Sequence, residues 1–181
     1  MKIKSGFSGE RSLVLPRVII DSMDKAPLTS LLHITDIGYY PKASHHYRHR
    51  DPPIAQYVFI YCIDGHGWFE LDGTTYDVCS NQYFILPAGV PHTYASSDDD
   101  PWTIYWAHFG GTMARHFVTA DPAPQTVAPG LDSRIANRIN LFEEIFNTLN
   151  DSFALENIRY AVSAFHHFLE SLRYCLLYTS D

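Results

Sequence analysis

The chain has few charged residues and no concentration of positive charge. Only 18% of its 181 residues are Asp, Glu, Lys or Arg, and 13 basic against 20 acidic residues leave a formal net charge of −7. With a hydrophobic share of 46%, this composition excludes a disordered chain. Nucleic-acid binding needs a basic surface that displaces counterions from phosphates. Only Arg48 and Arg50, beside three histidines, form a small basic group, so these residues alone are not expected to bind DNA.

Long apolar segments and paired cysteines are also scarce. No apolar run approaches the roughly 20 residues that span a bilayer. The stretch Leu13–Ile20 is interrupted by Pro16 and Arg17, and no small-residue cleavage site follows it. The three cysteines are far apart and odd in number, which favours reduced thiols. We therefore expect a soluble, cytoplasmic protein without a membrane partner.

Aromatic residues, in contrast, are abundant at 14% of the chain, and residues 31 to 109 have the pattern of β-structure. Short runs rich in Val, Ile, Tyr, Phe and Trp alternate there with Gly, Pro, Asp and Asn turns. They predict strands at Leu31–Tyr39, Tyr57–Ile63, Gly67–Leu71, Thr74–Cys79, Gln82–Leu86, His92–Ala95 and Trp102–Phe109. Asp72-Gly73 tolerates the positive φ of a tight hairpin. Strands of this number and spacing indicate a sandwich or a small barrel.

After Gly130 the periodicity becomes that of amphipathic helices. Apolar residues recur at three- and four-residue intervals from Leu131 to Leu149, with Asp132 as the predicted N-cap, and a second helix follows residues 150–152. The stripe of this second helix has the strict spacing of a helix that lies along another. It consists of Ile158, Val162, Phe165, Leu169, Leu172 and Leu176. The stripe either packs on the chain's own barrel or forms the seam of a homodimer, and the two are compatible.

The chain is thus predicted to have three parts. An N-terminal arm covers residues 1–30, a barrel covers residues 31–125, and a two-helix dimerisation hairpin covers residues 130–178. The spacing of the apolar stripe is compatible with this dimerisation role, and the family resemblance described below implies it.

Two segments of the predicted barrel are typical of one superfamily. Residues 57–68 and residues 81–92, the latter with Pro87-Ala88-Gly89-Val90-Pro91-His92, resemble the two motifs of the cupins. The resemblance implies a mainly β fold, a double-stranded β-helix or jelly-roll barrel with a pocket inside, followed by a C-terminal α-helical hairpin. Common catalytic motifs such as H-E-x-x-H, G-x-S-x-G, the P-loop and G-x-G-x-x-G are absent from the sequence.

The cupin resemblance also implies which metal ligands to look for. Metal-dependent cupins carry two histidines and a glutamate on the first motif, and here those places fall near Asp51 and Pro53 and at Val58. His92, on the second motif, is the one ligand that remains. A lone imidazole holds a transition metal poorly, since a catalytic site needs three protein ligands and an open position. No metal, no other cofactor and no enzyme activity are therefore expected.

A closer resemblance covers residues 31 to 176. The runs 87–94 and 101–109, with the helix pair behind them, are similar to the effector-binding domain of AraC-type transcription regulators. In that family a cupin barrel binds a small molecule, often a sugar, two helices mediate dimerisation, and a separate helix-turn-helix domain binds DNA. The resemblance implies that Arg50 bonds sugar hydroxyls, that Tyr94 lies in the pocket and that Trp106 stacks on the sugar ring. The family's pocket histidine is replaced by Ile104, which changes the expected sugar preference.

Strand alternation supports a shared face for the same residues. It places Trp102 and Trp106 on one face of their strand and His92 and Tyr94 on one face of theirs. With Arg50 reaching in from the rim, the predicted ligand-binding residues are Arg50, His92, Tyr94, Trp102 and Trp106. A flat aromatic ring and forked donors suit a neutral polyol or an acidic sugar.

The function expected from these observations is ligand sensing without catalysis. A small, sugar-derived effector would bind in the barrel of a homodimer and control an attached helix-turn-helix domain that is absent from this chain. Two alternatives stay open: a cupin enzyme, such as a sugar isomerase or dioxygenase, and a free-standing carbohydrate-binding module. Stoichiometric bound metal would favour the enzyme, and a downstream reading frame without a helix-turn-helix would favour the module.

Overall fold

The computed structural model describes residues 1–127 and 135–174. The strands within these ranges are β1 (Arg11–Val14), β2 (His33–Tyr40), β3 (Tyr47–Arg50), β4 (Tyr57–Asp64), β5 (Gly67–Leu71), β6 (Thr74–Val78), β7 (Gln82–Leu86), β8 (His92–Ser96), β9 (Thr103–Gly110) and β10 (Gln125–Thr126). The helices are α1 (Arg17–Lys25), α2 (Ile135–Asp151) and α3 (Leu155–Tyr174). In the ranges described, none of the helices has the length and hydropathy to cross a membrane.

Two antiparallel sheets enclose a core between them. The larger sheet has the strand order β1-β2-β9-β4-β7-β10 and the smaller one β3-β8-β5-β6. Side chains from both sheets, including Ile60 and Phe69, fill the space between them. The other face of the larger sheet packs with α2 and α3 in a second core. The fold class predicted from the sequence, a mainly β jelly-roll barrel followed by a helical hairpin, is confirmed.

Strand β9 belongs to both cores because its side chains alternate between the two faces of the sheet. Ile104 and Trp106 point into the space between the sheets. Tyr105, Ala107 and Phe109 point toward the helices. Alternation of side chains along the strand predicts this assignment of residues to the two faces.

The tight turns use residues that tolerate a positive φ. Asp72 and Gly73 have φ values of 51° and 77° and join β5 to β6, as the Asp-Gly pair predicts. Asn81 precedes β7 with a φ of 69°. Its side chain accepts a 2.7 Å hydrogen bond from the Tyr61 hydroxyl, so the turn is tied to β4.

Residues 1–30, which were predicted to form an arm, contain a strand and a helix. Strand β1 pairs with β2 at the edge of the larger sheet, and α1 begins directly after Pro16, where a missing N–H is tolerated. Arg11 of β1 makes two hydrogen bonds of 2.5 Å to the Glu143 carboxylate of α2. The Tyr105 hydroxyl donates to the same carboxylate at 3.0 Å. The N-terminal segment, the central strand β9 and helix α2 are therefore linked through one carboxylate.

The apolar stripe of α3 is covered by the chain itself. Ile158, Phe165, Leu169 and Leu172 are buried in the core between the larger sheet and the helices, and Val162 packs partly against that core. The four buried side chains of the predicted dimer seam therefore contact the chain's own core, and the stripe by itself gives no support to a dimer. Packing on the chain's own sheet accounts for the spacing, and Leu176 lies outside the described residues.

Candidate ligand-binding site

A small cavity lies between the two sheets. Its volume is about 20 Å³, room for about one water molecule. Two surface depressions of about 490 and 480 Å³ are larger, but they are open to solvent. The small cavity between the sheets, which is partly open to solvent, is instead lined mainly by aromatic and cationic side chains. It is lined by Lys4, Tyr40, His46, Arg48, Arg50, Ile60, Tyr94, Ile104, Trp106 and His108.

Strands β3 and β8 supply one wall of the cavity. Arg48 pairs with Tyr94 and Arg50 with His92 across the two strands, so all four residues share the inner face. The Arg50 Nη1 donates to the Tyr94 hydroxyl at 3.1 Å and to the Nε2 of His92 at 3.0 Å. Because a guanidinium group can only donate, His92 accepts at Nε2 and carries its proton on Nδ1. Tyr94 and His92 therefore hold the Arg50 side chain in place.

Strand β9 supplies the opposite wall through Trp106. Trp106 faces Gly38 of β2 directly, and a Cβ at position 38 would lie 2.5 Å from the indole Cζ2. The indole can lie this close to β2 only because residue 38 has no side chain. The indole is 8% exposed, and its Nε1 has no hydrogen-bond partner among the described residues.

Two of the predicted ligand contacts lie elsewhere. Trp102 is fully buried and does not line the cavity. Its Nε1 donates to the Nδ1 of His46 at 3.1 Å, so its polar atom is already paired and the residue is a core residue. This corrects the prediction of Trp102 as a ligand contact. His92 lies behind Arg50, outside the cavity lining, where it orients the guanidinium group.

Three predicted residues, Arg50, Tyr94 and Trp106, do meet at the cavity. Four other lining residues were not predicted from the sequence, namely Lys4, Tyr40, His46 and Arg48. Arg48 could have been found, because it is two residues before Arg50 and so points to the same side of an extended strand. His108, two residues after Trp106, lies on the same face of β9 by alternation and was not among the predicted site residues.

The histidines near the cavity are neutral at physiological pH. Burial lowers the pKa of His46 to about 3, and the positive charges of Arg48 and Arg50 act in the same direction. Burial and Arg50 lower the pKa of His92 to about 4. Burial, with the two arginines, lowers the pKa of His108 to about 3. These rings are therefore uncharged groups, and the positive charge of the cavity comes from lysine and arginine.

An N-terminal segment lies against the cavity and contributes Lys4 to its lining. Ile3 pairs with the chain beside β3 through backbone hydrogen bonds of 2.8 Å to His45 and 3.0 Å from Tyr47. The ring of Phe7 lies 4.9 Å from that of Tyr40 and 5.3 Å from that of His46. Lys4, between these two anchors, lines the cavity.

The residues present do not fit the metal that many cupins hold. Val58 is a fully buried core residue at the place of the glutamate ligand. The Nε2 of His92 already accepts a hydrogen bond from a guanidinium group, whose positive charge repels a metal ion. Within residues 1–127 and 135–174, no three His, Cys, Asp or Glu side chains are grouped to ligate one.

The sequence of the chain matches a family model and a curated protein. The AraC-like ligand-binding domain family matches residues 37–169. The MmsAB operon regulatory protein of Pseudomonas aeruginosa is 33% identical over 106 residues, which are 56% of this chain and 34% of that protein. The chain thus spans about a third of that relative's length.

Among solved structures, YhaK from Escherichia coli aligns with a TM-score of 0.45 and 12% identity over 72% of this chain and 59% of its own. The Cnp3 cupin domain of Schizosaccharomyces pombe aligns with a TM-score of 0.38 and 15% identity over 62% of this chain and 73% of its own.

Proposed function

Because the chain belongs to the family of AraC-like ligand-binding domains, we propose that the cavity between its sheets binds a small effector of the sugar type. The observation that carries this proposal is the indole of Trp106, which lines the cavity with its buried Nε1–H unpaired among the described residues. Leaving a buried donor unpaired costs about 1–3 kcal/mol. A ligand oxygen that accepts this hydrogen bond would remove the cost.

The surrounding groups suit a polyhydroxylated molecule. A sugar offers an apolar C–H face, for which the Trp106 ring is a flat partner. It also offers hydroxyls, which the guanidinium of Arg50 and the hydroxyl of Tyr94 can bond from the opposite wall. Arg50 is already held by His92 and Tyr94, so a ligand would meet a donor whose position is set in advance.

Ligand entry requires the cavity to widen. A volume of about 20 Å³ holds one water molecule and no sugar. The N-terminal residues are the movable part of the wall, since Lys4 lines the cavity from a segment that is joined to the chain beside β3 by the two backbone hydrogen bonds of Ile3. We expect the effector to displace this segment and then to be covered by it.

The proposed role in the cell is regulation without catalysis. Effector binding would favour one of two arrangements of the domain, and so alter DNA binding by a helix-turn-helix domain outside these 181 residues. The similarity to a regulatory protein supports this role. We place the protein in the cytoplasm, where its DNA target would be.

A homodimer is part of the same proposal. The buried stripe of α3 leaves the dimer contact to other surfaces of the domain. Light scattering on the purified domain tests it directly, since a mass twice that of the 20.6 kDa chain supports a dimer and a single mass contradicts it.

The test of the binding site uses two tryptophan variants in a thermal-shift screen of mono- and oligosaccharides. A ligand that binds the native state raises Tm by mass action. Trp106→Ala should abolish the rise in Tm that a sugar gives the wild-type domain. Trp68→Ala is the matched control, because Trp68 alternates with the inward-facing Phe69 and lies on the outer face of β5 near Tyr47. An unchanged response in Trp106→Ala would refute the site.

A further inference from the structure

Positive charge is concentrated around the cavity. Lys4, Arg48 and Arg50 line it, and its lining contains no aspartate or glutamate. The chain as a whole has the opposite balance, with a net charge of −7. Three of the 13 basic residues thus meet at one small cavity.

The two arginines point inward because of their place in the sheet. Arg48 and Arg50 alternate with His49, whose Nδ1 bonds the Thr93 hydroxyl on the other face. Arg50 uses a single nitrogen, Nη1, for its bonds to His92 and Tyr94. Among the described residues, neither arginine and no cavity lysine forms an ion pair with a carboxylate. Most of their donors remain available to a guest.

Two carboxylates, Asp36 and Glu10, lie near the cavity without lining it. Asp36 lies 3.7 Å from the Nδ1 of His108, and burial raises its pKa despite the attraction of Arg48 and Arg50. Glu10 accepts hydrogen bonds from the backbone amides of Gly6 and Phe7, at 2.8 and 2.9 Å. Neither carboxylate lines the cavity. Asp36 thus attracts Arg48 and Arg50 from outside the lining, but no carboxylate lines the cavity beside the three cations.

We propose that the effector is a small organic acid that carries both a carboxylate and a hydroxyl group. Its carboxylate is bound by Arg48 and Arg50, with Lys4 covering it from the N-terminal segment, and its hydroxyl is bound by Trp106 and Tyr94. Paired guanidinium groups recognise carboxylates through short, charge-assisted hydrogen bonds. This inference rests on the proposed function, because it assigns a chemical class to the ligand of the same cavity. The two sources of this chemistry are acidic sugars and short hydroxy acids.

Matched acid and neutral compounds test the proposal. Thermal shift and calorimetry on the full chain would compare galacturonate with galactose, and lactate with lactamide. We expect one of the acids to raise Tm and to bind at least tenfold more tightly than its neutral counterpart. A response to galacturonate identifies an acidic sugar, and a response to lactate identifies a short hydroxy acid. Equal binding of acid and neutral compound, or no response to either acid, overturns the proposal.

Two charge-removing variants separate recognition from folding. Arg48→Gln should leave the Tm of the free domain nearly unchanged, because Arg48 makes no side-chain hydrogen bond within the described residues, and should weaken acid binding at least tenfold. Arg17→Gln, on an exposed side chain of α1, is the matched control and should bind as the wild type does. Acid binding that Arg48→Gln leaves unchanged overturns the proposal.

The results distinguish this inference from the proposed function. If galactose binds, the acids do not, and Trp106→Ala removes the galactose response, the cavity binds a ligand but the acid assignment is wrong. If an acid response is lost in Arg48→Gln but kept in Trp106→Ala, the acid assignment stands and the stacking role of the indole is wrong.

Discussion

Adding one methyl group at Gly38 should disturb both the stability of the domain and its ligand site. The Cβ of an alanine at this position would lie 2.5 Å from the Cζ2 and 2.6 Å from the Cε2 of Trp106. It would also lie 2.7 Å from the backbone oxygen of Arg11 in the neighbouring strand β1. The backbone oxygen is fixed by the pairing of β1 with β2. The indole must therefore tilt away, and the cavity is the space into which it can move.

The expected cost follows from that overlap. Forcing extra atoms into a packed core costs about 1–3 kcal/mol. For a domain of this size, each kcal/mol lowers Tm by roughly 2–4 °C. Gly38→Ala should therefore lower Tm by roughly 2–12 °C and should weaken ligand binding, because the displaced ring occupies a cavity of only about 20 Å³.

A double-mutant cycle identifies the cause. Trp106→Leu removes the ring that the new methyl group meets, so Gly38→Ala should cost about 1 kcal/mol less in that background, with the remaining cost due to the Arg11 carbonyl. Thermal or urea unfolding of the four proteins gives the coupling energy. Additive effects, or a neutral Gly38→Ala, would refute the close approach of the indole to residue 38.

Two further predictions concern pH and the helical hairpin. Because the pKa values of His46, His92 and His108 lie at about 3 to 4 in the folded domain, the unfolded chain binds more protons below pH 6.5, and stability should fall as pH falls from about 6.5 toward 4. The loss from pH 7 to 5 is about 1–2 kcal/mol per histidine; equal unfolding free energies at the two pH values would contradict it. Leu169→Asp should unfold the domain rather than separate a dimer. Residue 169 is 2% exposed, and a buried unpaired carboxylate costs several kcal/mol. A variant that circular dichroism and light scattering show to be a folded monomer would contradict this prediction.

The barrel could be predicted from the sequence because most of its strands obey simple alternation between turn residues. Strand β3 was missed for a physical reason. Its residues Tyr47–Arg50 are polar on both faces, since the inward face lines a cavity and not a packed core. The strand that contributes Arg48 and Arg50 to the site therefore lacks the apolar alternation from which a strand can be predicted.

Alternation also fixes the face of a side chain but not its depth. Trp102 and Trp106 point to the same side, yet Trp102 is sealed in the core by its bond to His46 while Trp106 borders the cavity. The contribution of Lys4 could not be predicted, because it depends on the pairing of Ile3 with a distant part of the chain. Likewise, the spacing of the α3 stripe indicates a partner surface without saying whether that surface belongs to the same chain.

The indole N–H signals of the three tryptophans offer the most direct test of the cavity as the ligand site. A ¹H–¹⁵N spectrum resolves one such signal for each of Trp68, Trp102 and Trp106. Trp68 lies on the outer face of β5 near Tyr47, and the Trp102 indole N–H donates to His46. The Trp106 indole N–H, at the cavity, has no hydrogen-bond partner among the described residues. Titration with the acid or sugar that raises Tm should shift the Trp106 signal most and leave that of Trp68 in place. A Trp106 signal that stays unmoved at saturation would contradict the account.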